Sequence, residues 1–392
     1  MSDTPPAINP VKIPLYVFQS SGGSGYKIGI KVSFDNKTFQ MYEFDTGGSG
    51  FWAAGNANWW SQYSTPQPDP GPQTIQYSSG IQYIANPVVT QIYFENVPAP
   101  LTAQVARIFQ ATRGGDISNQ DQQFDVDWQN ALTQPSPKPP LWGQFFGDFG
   151  MGLAPFVNQT SGDTVFFAVL PQLTQPLCDG FIIDLGPYPA NNAAGAGGWV
   201  QEGFIQIGLA PGDTAQFPNQ FKMQPATNLD AQDPVFPNSG IPTYAEKLVQ
   251  GSLTLSPPSF CFEDQTGIVF DTGAPTIELH TGTDQITVAN LNPYLNQPLS
   301  ANSNGNSTSN VKEGMSFLLT APLQNPGPDS SDVLIGITAE DTDGLNLAGA
   351  TTLNIQGTEG YVNTGLVPFF NGPVLYDLKQ GIIGFQGAPK SL

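Results

Sequence analysis

The feature that most constrains this chain is a short segment that occurs twice. Residues 42–52 read Tyr-Glu-Phe-Asp-Thr-Gly-Gly-Ser-Gly-Phe-Trp, and residues 267–277 read Gly-Ile-Val-Phe-Asp-Thr-Gly-Ala-Pro-Thr-Ile. They share Phe-Asp-Thr-Gly, with Asp45 in one copy and Asp271 in the other. In each, an apolar, β-prone run ends on an Asp, and a Gly two residues later permits a tight reversal. That places a carboxylate at the mouth of a strand, on a loop held by rigid structure. Asp-Thr-Gly is also ordinary turn chemistry, because Asp bonds its own backbone and Gly supplies positive φ. From average usage, one copy starts by chance on the order of once in a few thousand positions. One copy would therefore mean little. Two copies, each after Phe, each closing an apolar run, one per half of the chain, read as a functional repeat.

Composition narrows the architecture and the partners. The chain has 392 residues, with 43 Gly, 37 Pro and only 11% charged residues, so it is rich in turns and poor in long amphipathic helices. An all-β fold in two lobes follows. The net charge is −20, and Arg107 and Arg113 are the sole arginines. Nucleic acid and anionic membrane surfaces are therefore poor partners. No apolar run is long enough to span a membrane, and the N-terminal residues lack a signal-peptide layout. A soluble chain is expected, with its compartment unspecified. Residues 1–10 carry no Lys or Arg. His280 is the single histidine and reads as structural, which removes most support from His-based triads and zinc sites. No cofactor or metal is expected. Cys178 and Cys261 leave two options open, a cross-link or two buried thiols.

Along the chain, residues 11–44 alternate as strands leading into Asp45, and 74–97 read as a hairpin and a further strand. Residues 53–73 and the polar, Pro-rich 113–142 read as loops, FGDFGMGLAP (146–155) as a Gly-spaced turn, and 171–203 as containing a small-residue surface loop. In the second half, strands lead into Asp271, one short helix fits 283–295, and residues 300–312 read as a mobile loop.

At this point the chain resembles the pepsin-like aspartic proteases over most of its length. Each lobe of that family carries an Asp-Thr/Ser-Gly loop, matched here by Asp45-Thr46-Gly47 and Asp271-Thr272-Gly273. Trp52 stands at the spacing of the aromatic that follows the first loop. Tyr77-Ser78-Ser79-Gly80 looks like the start of the flap, the hairpin that closes over the cleft. Gly152-Leu153-Ala154 matches a Gly-Leu-Ala of the first lobe, and Leu375-Tyr376-Asp377 with Ile383-Gly384-Phe385 matches the closing strand pair. The resemblance implies a bilobal, all-β fold with a cleft between two barrel-like lobes. Residues 1–212 would form the lobe with the first loop and the flap, and 213–392 the second, with the turning point around 212–220. It implies an aspartic endopeptidase with an acidic pH optimum, acting as a monomer on polypeptide substrates and sensitive to statine-type inhibitors. Asp45 and Asp271 would be catalytic, with Thr46, Gly47, Thr272 and Gly273 supporting them. Tyr77, Ser78, Gly80 and Trp52 would contact or position the peptide.

The sequence also departs from the family pattern. Gly48 and Ala274 stand where hydroxyl residues often support the catalytic carboxylates, and Asn363-Thr364-Gly365 is polar where an apolar pair precedes the Gly. Two other readings compete: a pepsin-fold protein that only binds a partner, and a β-rich glycosidase using two carboxylates. The carboxylate separation discriminates the second, since about 3 Å suits a protease dyad and more than about 5 Å a glycosidase.

Overall fold

A computed structural model describes residues 9–19, 25–60, 65–66, 71–77, 79–113, 119–157, 164–189, 198–226, 235–256, 262–281, 293, 308–310, 314, 316–328, 330–338, 352–354 and 360–386. Two sheets account for most of them, one of 14 strands and one of 8. The expected all-β, two-lobed architecture is present.

The larger sheet is built on Val11–Gln19, which pairs on one side with Tyr26–Ser33 and on the other with Trp199–Ile207. The second pairing leads through Gly180–Asp184 to Val374–Asp377, Ile382–Phe385 and Asn219–Lys222. Strands from the middle and the end of the chain thus share one sheet with its beginning. In the other direction, Tyr26–Ser33 pairs with Gln40–Asp45, the strand that ends on the first Asp. The smaller sheet holds Val249–Ser256, Phe262–Val269, Glu278–Thr281, Ser316–Thr320, Val333–Thr338 and Gly360–Asn363, with Phe262–Val269 leading into Asp271. Most of these strands are apolar on alternate residues, so one face packs inward. Tyr26–Ser33 is buried on nearly every residue because it is covered on both sides.

Three segments differ from the sequence reading. Residues 146–155 are not simply a turn. Gly147–Gly150 is a strand inserted between the Asp45 strand, to which it runs parallel, and Phe51–Ala54. Glycine makes this insertion possible, since a Cβ on Gly150 would lie 2.3 Å from the Gly50 carbonyl oxygen. Within the expected loop 113–142, Asn119–Thr133 is a 15-residue helix. Its composition is polar, but Phe124, Trp128, Ala131 and Leu132 fall at helical spacing, and Trp128 and Ala131 are fully buried. Within 53–73, Ala57–Trp60 forms one helical turn, held where Trp60 stacks on Phe34 at 4.1 Å and its indole N–H donates to the Ala54 carbonyl at 2.8 Å. The helix expected over 283–295, the loop 300–312 and most of the small-residue run at 190–197 lie outside the described residues, apart from scattered positions. Among the described helices, none is long and apolar enough to cross a membrane.

Candidate active site

The two Asp-Thr-Gly loops meet, and they meet symmetrically. Each Thr hydroxyl accepts the backbone N–H of the other Thr: Thr46 N–H to Thr272 Oγ1 at 3.0 Å, Thr272 N–H to Thr46 Oγ1 at 2.9 Å. Each hydroxyl also donates across, Thr46 to the Phe270 carbonyl and Thr272 to the Phe44 carbonyl, both at 2.7 Å. Four buried hydrogen bonds thus join segments 226 residues apart in sequence. Buried polar groups need partners, and here each Thr supplies those of the other. The carboxyls are anchored the same way, Gly47 N–H to Asp45 Oδ1 and Gly273 N–H to Asp271 Oδ1, both at 2.7 Å. Neither Gly could carry a side chain. A Cβ on Gly47 would sit 2.6 Å from the Asp271 Cγ, and one on Gly273 would sit 2.6 Å from the Asp45 Cγ.

Asp45 is 8% exposed, and its carboxyl and that of Asp271 line one cavity, each set against the glycine of the other loop. Burial pushes its pKa well above the ordinary carboxylate range, and the nearby charges of Asp271 and then Asp148 push it further.

The departures from the family pattern acquire physical explanations here. Gly48 leaves room for a third carboxyl: a Cβ there would lie 2.7 Å from Asp45 Oδ2 and 2.8 Å from Asp148 Oδ2. Asp148 sits on the strand parallel to the Asp45 strand, paired with Glu43, and is 3% exposed. Ala274 has no hydroxyl, but its N–H donates to Asp271 Oδ1 at 3.2 Å. The outer oxygen of Asp271 is served by Asn363, whose Nδ2 donates to Oδ2 at 2.6 Å. The polar residue that looked out of place in the second-lobe turn is thus a ligand of the second Asp. That mismatch was the available signal for Asn363; Asp148 gave none.

Glu43 and Lys27 form a second charged unit in the cleft. Lys27 Nζ donates to Glu43 Oε1 at 2.5 Å and to the Gly273 carbonyl, so it reaches from a first-half strand to the second Asp loop. Burial works against the Lys27 charge, but Glu43, Asp45 and Asp271 outweigh it and raise its pKa overall. The Trp142 indole N–H completes Glu43 by donating to Oε2 at 3.2 Å.

Beside the two aspartates, Gln73–Gln76 and the start of Ile81–Phe94 form a hairpin, where the sequence resemblance placed a flap. Its turn closes with Gly80 N–H to the Tyr77 carbonyl at 2.9 Å, and Gly80 adopts φ +80°, which glycine tolerates. The Tyr77 hydroxyl donates to Asp148 Oδ2 at 2.5 Å, and the residue lines the same cavity as both aspartates. Ser78 lies outside the described residues. Trp52 is placed differently from its expected role beside the peptide. It is fully buried against Phe156 and Phe166, donates its indole N–H to the Ser49 carbonyl at 3.0 Å, and is not among the residues lining the cavity. His280 is 2% exposed and stacks on Tyr361 at 4.0 Å, a structural position away from the dyad's hydrogen bonds. Cys178 is a free buried thiol, pushed up to about 11 chiefly by burial, and Cys261 lies outside the described residues.

No protein-family model matches the chain, and no curated protein matches it in sequence. Among solved structures it is similar to the aspartic proteinase from Irpex lacteus, with a TM-score of 0.53 at 12% identity over 95% of this chain and 96% of that one. At that identity the likeness is one of fold: the chain has a bilobal architecture of the pepsin-like kind.

Proposed function

We propose that this chain is an aspartic endopeptidase that hydrolyses peptide bonds of a polypeptide laid in extended form between its lobes. The observation that carries the reading is that loops whose threonines bond each other bring the Asp45 and Asp271 carboxyls together, each carboxyl carbon 2.6 Å from where the other loop's glycine would carry a Cβ. Two carboxyls brought together cannot both ionise easily, so the pair holds one proton between them. This is the known pattern of aspartic proteases, and the pair titrates as a unit. The ionised member takes a proton from a water held between them as that oxygen adds to the peptide carbonyl carbon. The protonated member gives its proton to the carbonyl oxygen, leaving a gem-diol; the first carboxyl then passes the water's proton to the nitrogen as the C–N bond breaks, and one diol hydroxyl returns a proton to the second carboxyl, which restores the pair. One site thus supplies base and acid without a metal or a covalent intermediate.

Asp45 and Asp271 are the catalytic residues in this reading, with Thr46, Gly47, Thr272 and Gly273 as their frame and Asn363 as the partner of Asp271. Tyr77 closes the flap over the peptide. The enzyme works as a monomer, in acid, and is blocked by statine-type inhibitors. The lobes divide around residues 212–220.

The test is an assay on denatured protein across acidic and neutral pH, with and without a statine-type inhibitor, on wild type, Asp45→Asn, Asp271→Asn and the double variant. All three variants are expected to be similarly inactive, because residues that act as a unit are not additive. If either single variant kept more than about a tenth of wild-type kcat, a proton-sharing pair would be ruled out. A wild-type protein that binds the inhibitor yet cleaves nothing would instead be a pepsin-fold binding protein.

A further inference from the structure

Where it passes the dyad, the cleft is a cavity of about 390 Å³ whose charged lining is one-sided. Glu43, Asp45, Asp148, Asp271 and Glu278 contribute carboxyls, and among the described lining residues Lys27 is the only cation. Most of these groups are committed. Asp45 accepts from Gly47, Asp271 accepts from Gly273 and Asn363, Glu43 accepts from Lys27 and Trp142, and Glu278 lies 3.3 Å from the His280 ring. Lys27 is committed to Glu43 and the Gly273 carbonyl. Asp148 is the exception. Its Oδ2 accepts the Tyr77 hydroxyl, while its Oδ1 is buried with no hydrogen-bond partner.

An unpaired carboxyl oxygen out of water is costly, and a guest that completes it gains accordingly. We propose, resting on the endopeptidase reading, that this part of the cleft is a subsite for a cationic side chain of the bound polypeptide, lysine or arginine, with Asp148 as its acceptor.

The surroundings suit such a guest. Ile81, Leu141, Tyr83 and Trp142 line the same cavity and offer apolar surface for a methylene stem. The Trp142 ring already attracts cations, with Lys27 Nζ at 5.5 Å and the Arg113 guanidinium at 5.9 Å. Lys27 does not repel the guest strongly, because Glu43 neutralises it at 2.5 Å. An apolar or anionic side chain in the same place would leave Asp148 unpaired, so selection works by exclusion as well as by attraction. The chain's charge of −20 favours approach of cationic segments.

The selectivity should follow pH. Facing Asp148 are Tyr77 and Tyr83 from the flap, Glu43 and Asp45 from the neighbouring strand, Lys27 from the strand beyond it, and Asp271 from the second Asp loop. Burial, then Glu43, raises the Asp148 carboxyl above its usual range, while Tyr77 and Lys27 pull it back. In acid the carboxyl is neutral and discriminates weakly; as pH rises, the carboxylate forms and a cationic guest holds it ionised.

The experiment is a peptide series in which each position flanking the cleaved bond is Arg, Leu or Glu in turn, assayed at about pH 4 and about pH 6. At one position, Arg is expected to exceed Leu in kcat/KM by about tenfold or more at the higher pH and by less at the lower. In Asp148→Asn that ratio should collapse to about one. A wild-type enzyme with no position favouring Arg, or a ratio that survives in Asp148→Asn, would overturn the subsite. Titration of wild type with reduced-bond, non-cleavable analogues carrying Arg or Leu at that position reads the preference without catalysis and without a variant. Equal affinities would also overturn it. If the Arg analogue binds more tightly but nothing is cleaved, the endopeptidase reading falls and the subsite stands.

Discussion

At the scale of single residues, the site depends on side chains that are missing as much as on those present. Gly48 is the clearest case, because its hydrogen faces both Asp45 and Asp148. Gly48→Ser would bring the chain closer to the family pattern, yet its Cβ would fall 2.7 Å from one carboxylate oxygen and 2.8 Å from another. We expect a kcat loss of about tenfold or more and destabilisation of about 1–3 kcal/mol, read by peptide kinetics and urea melts. A Gly48→Ser variant with raised activity would mean that Asp148 does not occupy this space in the working enzyme. Lys27 is the second case. Its side chain is 15% exposed and that of Glu43 is 9%, so Lys27→Met would leave a buried carboxylate without its cation. Breaking such a pair typically costs about 3–5 kcal/mol, and a urea midpoint near that of wild type would show that the pair adds little to stability.

At the scale of elements, the flap has an unexpected support. Helix Asn119–Thr133 packs chiefly on Leu101–Arg113, the strand paired with Ile81–Phe94, and its fully buried Trp128 reaches to 5.1 Å from the ring of Tyr83. Tyr83 in turn meets Tyr77 edge-on at 5.5 Å. A line of aromatic contacts thus runs from the helix to the residue over the dyad. Tyr77→Phe keeps the ring and loses the bond to Asp148; Tyr77→Ala loses both. Both are expected to remain folded, since a hairpin tip carries little core, with activity falling more in the Ala variant. Trp128→Ala should cost about 3–5 kcal/mol in a chemical melt, as for other buried large-to-small changes. It should also raise KM by loosening the flap from behind. An unchanged KM in a folded Trp128→Ala protein would separate helix and flap.

At the scale of the whole molecule, buried carboxyls and high negative charge make stability depend on pH in a definite direction. Asp45 and Asp148 both have folded-state pKa values raised above the unfolded value, chiefly by burial. The folded chain therefore holds protons that the unfolded chain releases, so stability falls as pH rises from the unfolded carboxyl value of about 3.9 toward the folded ones. Asp35 acts in the opposite sense. Its carboxylate accepts N–H groups of Lys37 and Thr38 at 2.8 and 2.7 Å, which lowers its pKa despite the raising effect of partial burial. Its contribution is lost only as pH falls through that lowered value. Thermal melts are expected to show a higher Tm at about pH 5 than at about pH 7, with the difference reduced in Asp148→Asn. A Tm that rises toward neutral pH would mean that these carboxyls are ionised at little cost.

The sequence by itself determined the things that repeat or recur at short range. Phe-Asp-Thr-Gly twice, with apolar runs before each copy, was enough to pick out Asp45 and Asp271, and turn-rich composition was enough for an all-β chain. Those signals are local, because strand alternation and loop chemistry depend on neighbouring residues. The tertiary structure decided what distant residues do to one another. Asp148 lies in a stretch that reads as a turn, and becomes the third carboxyl only because glycines let its strand slide between two others. Asn363 looks like a fault in a motif until the fold sets its amide against Asp271. Trp52 stands at the spacing of a peptide-contacting aromatic, and the packing of Phe156 and Phe166 draws it into the core instead. The helix at 119–133 shows the same division, since four apolar positions give a face to bury only once the paired strands beside it are there to cover them.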